Sequence, residues 1–131
     1  MGKFKVLSNG IKIPSIGFGT YKSGDNNETA EIVKYALECG YRQIDTASFY
    51  GNEVGIGNAI KESKVKREDI FLVTKLWNDD HGYDKTIEAF NNSLKRLQVE
   101  YLDLYLIHWP NKLNAETWRA FEDLYKTGKV K

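Results

Sequence analysis

A chain of 131 residues, 41% hydrophobic and 28% charged, is long enough for one domain with a buried core and too apolar to be disordered. A net charge of +1 with no basic block excludes a surface of clustered Lys and Arg, so no nucleic-acid partner is expected. No apolar stretch approaches the roughly 20 residues of a membrane span, and MGKFKVLSNG lacks the apolar centre of a leader peptide, so no membrane partner is expected either.

Lys3 to Pro14 predicts a β-hairpin, with Asn9-Gly10 as a two-residue turn because both positions tolerate positive φ. Ser15 to Gly19 reads as a short apolar strand. The polar loop KSGDNN follows, with Asn26 and Asn27 as candidate caps of a helix. Ile32, Val33, Ala36 and Leu37 give that helix one apolar face, and Gly40 is placed to end it. The single Cys39 lies in this pattern and reads as a buried structural thiol; it has no disulfide partner, which suits a cytoplasmic protein.

A strand-then-helix pattern now recurs. YRQID leads to a loop holding Tyr50 and a helix from about Asn52 to Ser63. IFLVTK leads to the loop LWNDDHGYD and a helix from about Lys85 to Leu97. LDLYLIH leads to WPNKLN and a helix from about Ala115 to Lys126, closed by Gly128. Strands alternating with helices at this spacing predict an α/β fold with a parallel sheet. Right-handed crossovers then bring every loop that follows a strand to the same edge.

At that edge the sequence concentrates chemistry. The apolar runs end at Asp45, Lys75 and His108, about one βαβ unit (roughly 30 residues) apart. Tyr50 sits just beyond the first of these points. A phenol donates its proton poorly near neutral pH unless its phenolate is stabilised, and a lysine ammonium can do this. A buried lysine needs a counter-charge, which Asp45 can provide. A histidine can hydrogen-bond a carbonyl oxygen or relay a proton. Taken singly, the residues have plainer readings: an Asp45–Lys75 ion pair at a strand end, a loop aromatic at Tyr50, a satisfied polar side chain at His108, and packing tryptophans at Trp77 and Trp109. As a set they suit protonation of a carbonyl oxygen while hydride reaches its carbon. No side chain donates hydride, so a nicotinamide or flavin cofactor is implied.

Gly17-Phe18-Gly19 is followed by Lys22 where a dinucleotide fingerprint requires a third glycine, so a Rossmann site is not expected. Asp79, Asp80 and His81 are consecutive in one polar turn and do not read as a metal site.

Four stretches carry a resemblance to the aldo-keto reductases, in particular to small bacterial and protozoal members. They are GFGTY at 17–21, GYRQIDTASFYGNE at 40–53, LVTKLW at 72–77 and DLYLIHWP at 103–110. The resemblance implies a (β/α)8 TIM barrel, of which this chain would supply the N-terminal hairpin and four βα units, as one incomplete domain over 1–131. It implies NADPH-dependent reduction of an aldehyde or ketone, with Tyr50 as proton donor, Lys75 and Asp45 tuning it, and His108 orienting the carbonyl. Gly19, Thr20, Tyr21 and Asp45 would lie against the cofactor. Tyr21, Phe49, Trp77, His108 and Trp109 would line the substrate pocket.

A complete barrel takes about 250 residues, and GKVK stands where a fifth strand should begin. The first and fourth strands are therefore expected to be sheet edges, with barrel-facing Val, Leu and Ile meeting water. Self-association or pairing with a C-terminal half would cover them. The alternative to a reductase is a non-catalytic truncated fragment that lacks most of the cofactor clamp.

Overall fold

The computed structural model describes residues 2–131. The chain opens with a hairpin of β1 (Phe4–Val6) and β2 (Lys12–Pro14), paired antiparallel with Phe4 opposite Pro14 and Val6 opposite Lys12. Its turn is not the expected two-residue Asn9-Gly10 type. Leu7 N–H donates to the Ile11 carbonyl and Gly10 N–H to the Leu7 carbonyl, which closes a three-residue loop. Only Gly10 has a positive φ, 84°. A type I turn followed by one left-handed residue asks for a single glycine. Asn9 is thereby released to act through its side chain: its Nδ2 donates to the Lys131 carbonyl at 2.8 Å and ties the hairpin to the far end of the chain.

Four parallel strands follow, with order β3-β4-β5-β6. They are β3 (Phe18–Gly19), shorter than expected, then β4 (Gln43–Asp45), β5 (Phe71–Leu76) and β6 (Leu104–Ile107). The helices are α1 (Asn26–Glu38), α2 (Glu53–Glu62), α3 (Tyr83–Leu97) and α4 (Asn114–Lys126). Val130 forms a parallel bridge with Leu102, so a fifth strand begins beside β6 where GKVK predicted it. No helix among the described residues is long and apolar enough to cross a membrane.

Register explains the two faces of the sheet. Phe18, Ile44 and Leu72 are aligned across three strands, as are Thr74 with Tyr105 and Leu76 with Ile107. Side chains alternate along a strand, so these residues share one face. That face packs on the helices, where Val33, Leu37, Ile56, Phe90, Leu97 and Leu124 complete the core. The opposite face carries Gln43, Asp45, Phe71, Val73, Lys75, Leu104 and Leu106. The edges are β3 and β6, as expected. The expected wetting of the inner face is only partial. Leu104 and Leu106 are half-buried, but Val73 is buried because Asp45 and Leu104 flank it in register on the neighbouring strands.

Helix details depart from the sequence reading in informative ways. The α1 cap is Asp25, not Asn26 or Asn27: its carboxylate accepts Glu28 N–H at 2.9 Å, while the Glu28 carboxylate accepts Asp25 N–H at 2.9 Å. This reciprocal box satisfies two otherwise free donors, which no single asparagine can do. The buried face of α1 is Thr29, Val33, Ala36 and Leu37, and Ile32 faces outward. Cys39, one residue past the helix, is exposed rather than buried. Helix α3 starts at Tyr83, two residues early, because the Gly82 carbonyl accepts Thr86 N–H and opens the first turn there.

Two glycines let α2 lie close to its neighbours. A Cβ on Gly55 would fall 2.3 Å from the Asn26 carbonyl oxygen of α1, and one on Gly57 would fall 2.6 Å from the Leu97 carbonyl oxygen of α3. Backbone atoms cannot step aside as a side-chain tip can. Gly57→Ala should therefore destabilise the protein by about 1–3 kcal/mol, read as a lower urea midpoint at unchanged slope; an unchanged midpoint would show that α2 and α3 can separate freely.

Candidate active site

The three strand-end residues converge on one edge of the inner face. Asp45 is the last residue of β4, and Lys75 lies next to last in β5. His108 follows β6, and its N–H donates to the Leu76 carbonyl at 3.1 Å, which extends the parallel pairing by one step. Because Asp45 is level with Val73 and Lys75 with Leu106, all three side chains project on the side away from the helices. Tyr50 arrives from a different direction. It ends a 3-10 turn, Ser48–Tyr50, whose Tyr50 N–H donates to Ala47 and whose Ser48 hydroxyl donates to the Lys75 carbonyl at 3.2 Å.

The Lys75 ammonium is the centre of this group. It donates to Asp45 Oδ1 at 2.5 Å, to the Thr46 carbonyl at 2.9 Å and to the Tyr50 hydroxyl at 3.3 Å. An ammonium has three N–H groups, and each has one partner. Asp45 Oδ2 has no protein donor among the described residues, on a side chain that is 32% exposed.

The His108 ring stands edge-on to Tyr50, with centroids 5.8 Å apart. Its Nδ1 is buried and has no hydrogen-bond partner among the described residues. Burial holds His108 below the ordinary histidine value; the Lys75 cation adds to this, and the Asp45 carboxylate opposes it. This environment favours the neutral imidazole.

Aromatic side chains surround the polar group. Phe49 stacks on Trp77 at 3.8 Å, and Trp77 meets the His108 ring at 5.2 Å. Trp109 lies parallel to His108 at 6.2 Å, and Tyr21 packs on Tyr50 at 5.0 Å. Tyr21, Phe49 and Trp109 are more than half exposed, an unusual disposition for large apolar rings. They form a rim open to solvent above Tyr50 and His108.

The structure thus brings Asp45, Tyr50, Lys75, His108, Tyr21, Phe49, Trp77 and Trp109 together. Gly19 and Tyr21 are exposed at the β3 edge. Thr20 is fully buried, and both its N–H and its hydroxyl donate to the Asp45 carbonyl at 3.0 Å. Its hydroxyl is engaged with the Asp45 carbonyl, so it supports the position of that residue.

Two supporting residues, Asn52 and Glu53, escaped the sequence reading. Asn52 donates to the Thr20 carbonyl and Ser23 hydroxyl and accepts from the Thr46 hydroxyl. Glu53 is 1% exposed; it accepts from Thr74 at 2.9 Å and pairs with Arg96 at 2.7 Å. Both stand in the GNE that closes the second quoted stretch. Their signal was only that two polar residues open a helix whose remaining inner face is apolar.

A parallel β/α sheet with ionisable groups gathered at the carboxyl ends of its strands is the architecture of a (β/α)8-barrel enzyme, here as its first four units and the start of the fifth strand. The Aldo/keto reductase family model matches residues 15–131, and the chain belongs to that family. It is 54% identical over 95% of its length to the glyoxal reductase of Bacillus subtilis, covering 46% of that protein. It is 49% identical over 96% of its length to the 9,11-endoperoxide prostaglandin H2 reductase of Trypanosoma cruzi, covering 45% of it. Among solved structures, an aldo/keto reductase from Brucella melitensis superposes with a TM-score of 0.95 at 50% identity, over 99% of this chain and 50% of that one. An aldo-keto reductase from Bombyx mori in complex with NADP superposes with a TM-score of 0.91 at 37% identity, over 98% of this chain and 48% of that one. The chain spans about half the length of the curated relatives it matches.

The His108 environment sets a pH dependence. Its folded-state value lies below the unfolded one, so the unfolded chain takes up this proton first as pH falls, and His108 works against folding below about pH 6.5. Asp45→Asn, by removing the carboxylate that favours the charged ring, should move the His108 midpoint lower in an NMR titration, and Lys75→Met should move it higher. Shifts of opposite sign would show that neither charge governs the ring.

Proposed function

We propose that the polypeptide carrying this chain reduces aldehydes or ketones to alcohols with NADPH. The observation that carries the reading is the single ammonium of Lys75 bridging the Asp45 carboxylate and the Tyr50 hydroxyl, with the neutral His108 imidazole beside them.

Each residue then has a role. The Tyr50 hydroxyl donates its proton to the carbonyl oxygen, and Lys75 stabilises the phenolate left behind through the existing hydrogen bond. Asp45 pairs with the Lys75 ammonium and keeps it aimed at Tyr50. The His108 imidazole holds the substrate oxygen near the Tyr50 hydroxyl, since a neutral ring nitrogen can donate without adding charge. Solvent returns a proton to Tyr50 after the alcohol leaves. Tyr21, Phe49, Trp77 and Trp109 hold an apolar or aryl carbonyl compound and thin the water around the reacting oxygen.

The residues present also fit one side of a nicotinamide cofactor, which when bound supplies hydride to the carbonyl carbon. The free Asp45 Oδ2 is an acceptor for a ribose hydroxyl, the exposed Tyr21 ring is a surface for the nicotinamide end, and Gly19 leaves room at the β3 edge. The remaining contacts, and the cover for the inner face and for the edges of β3 and β6, would come from further strands of the same polypeptide or from a partner copy. No phosphate-gripping cluster of Lys and Arg lies beside Asp45 among the described residues, so that role would fall to whichever of these supplies the remaining contacts.

Tyr50→Phe in the full-length polypeptide should lower kcat by about 10²–10⁴-fold, the usual worth of a positioned acid, with NADPH affinity retained in a fluorescence titration. Turnover left intact would remove Tyr50 from the acid role. The isolated 131-residue chain should self-associate to cover its inner face; a single sharp monomer boundary in sedimentation at micromolar concentration would contradict this.

A further inference from the structure

One buried histidine is not used by the chemistry proposed above. His81 lies in the loop between β5 and α3 and is 3% exposed. Its Nδ1 is 2.9 Å from the Thr117 hydroxyl in the first turn of α4, and its Nε2 is 3.0 Å from the Trp109 carbonyl oxygen. A carbonyl oxygen only accepts, so Nε2 carries the hydrogen. The Thr117 hydroxyl accepts Gly82 N–H at 3.0 Å and is free to give its own hydrogen to Nδ1. One tautomer therefore satisfies every partner, and the network assigns it. Both nitrogens are engaged, so the ring has no lone pair to offer Asp79 or Asp80 for a metal.

What the ring holds is the backbone that carries the pocket wall. Trp109 directly follows His108, and its indole is 59% exposed, lying nearly parallel to the imidazole of His108 with centroids 6.2 Å apart. An indole so exposed is placed largely by its backbone. Pro110 follows and has no N–H, which leaves the Trp109 carbonyl as the one hydrogen-bonding handle on that peptide. His81 takes that handle and fixes it to α4 through Thr117.

We infer that His81 is a positioning residue that sets the Trp109 wall of the substrate pocket and so determines which carbonyl compounds fit. An imidazole suits the task because it donates and accepts at opposite ends of a rigid ring. His81 does not touch substrate; it acts through the Trp109 peptide. Loosening this peptide should matter for a bulky aryl aldehyde that leans on the indole and not for a three-carbon dicarbonyl that does not reach it. This claim about specificity rests on the reductase reading; the link between His81 and Trp109 does not.

The test uses the full-length polypeptide with His81→Leu, His81→Gln and Thr117→Val. Gln keeps an N–H donor near the Nε2 position. KM and kcat are measured for 4-nitrobenzaldehyde and methylglyoxal, NADPH affinity by fluorescence titration, and the Trp109 indole N–H by NMR, assigned with Trp109→Phe. His81→Leu should raise KM for the aryl aldehyde about tenfold and shift the Trp109 resonance, with methylglyoxal kinetics, NADPH affinity and the Trp118 resonance unchanged. His81→Gln should restore most of the loss. Should His81→Leu fail to fold, Thr117→Val, which removes the hydroxyl that orients the ring, is expected to give the same pattern. Equal losses on both substrates, or a Trp109 resonance that stays in place, would overturn the inference. A wild-type protein inactive on both aldehydes would overturn the reductase reading, and the indole resonance alone would then decide the link.

Discussion

The site is organised around one cation in a place where a cation is hard to keep. Lys75 sits inside a parallel sheet with 14% of its side chain exposed, and a lysine so placed must find partners for its charge and for all three N–H groups. It finds them on three separate pieces of chain: the end of β4, the peptide after it, and the 3-10 turn that carries Tyr50. Satisfying the ammonium therefore dictates how the loop after β4 must fold. The phenol is held where it is because the lysine requires a third acceptor there.

Behind this group lies a second layer whose role is to leave no freedom. Thr20 fixes the Asp45 carbonyl, Asn52 fixes Thr20 and Thr46, and Glu53 fixes Thr74, the residue before Lys75. Each is buried, so each unmade hydrogen bond would cost about 1–3 kcal/mol. That cost keeps three loops in one arrangement. The Glu53–Arg96 pair extends the layer to α3. The polar network thus connects strand ends to helix starts, and the apolar core below it sets only their overall distance.

The sequence was most informative where physical periodicity or a strand end fixes the outcome. The alternation of strands and helices, the sheet edges, the place of the fifth strand and the convergence of Asp45, Lys75 and His108 could all be read in advance. Most of the differences fall on residues whose partner is distant or plural. Asn9 does sit in the hairpin turn, where its Oδ1 accepts Ile11 N–H, but its Nδ2 also ties the turn to the Lys131 carbonyl. Asn26 was taken for a cap, but a box needs two residues that cap each other, and Asp25 with Glu28 is that pair. Cys39 lies one step beyond the last helical turn, where the apolar face has already rotated outward. Asn52, Glu53 and His81 have no periodic signal, since their meaning comes from loops that only tertiary structure brings together.

The order of the sheet has a consequence for how the molecule is made. Strand order β3-β4-β5-β6 repeats chain order, so each strand pairs with one synthesised just before it. A ribosome releasing this segment from its N-terminus can let each βα unit settle on its predecessor as it emerges, which keeps the loop closures short. The half-covered inner face, with Leu104 and Leu106, is the part that these pairings leave open. The growing sheet is then a template whose newest edge is β6, and the isolated Leu102–Val130 bridge lies just ahead of it in the chain's own pairing.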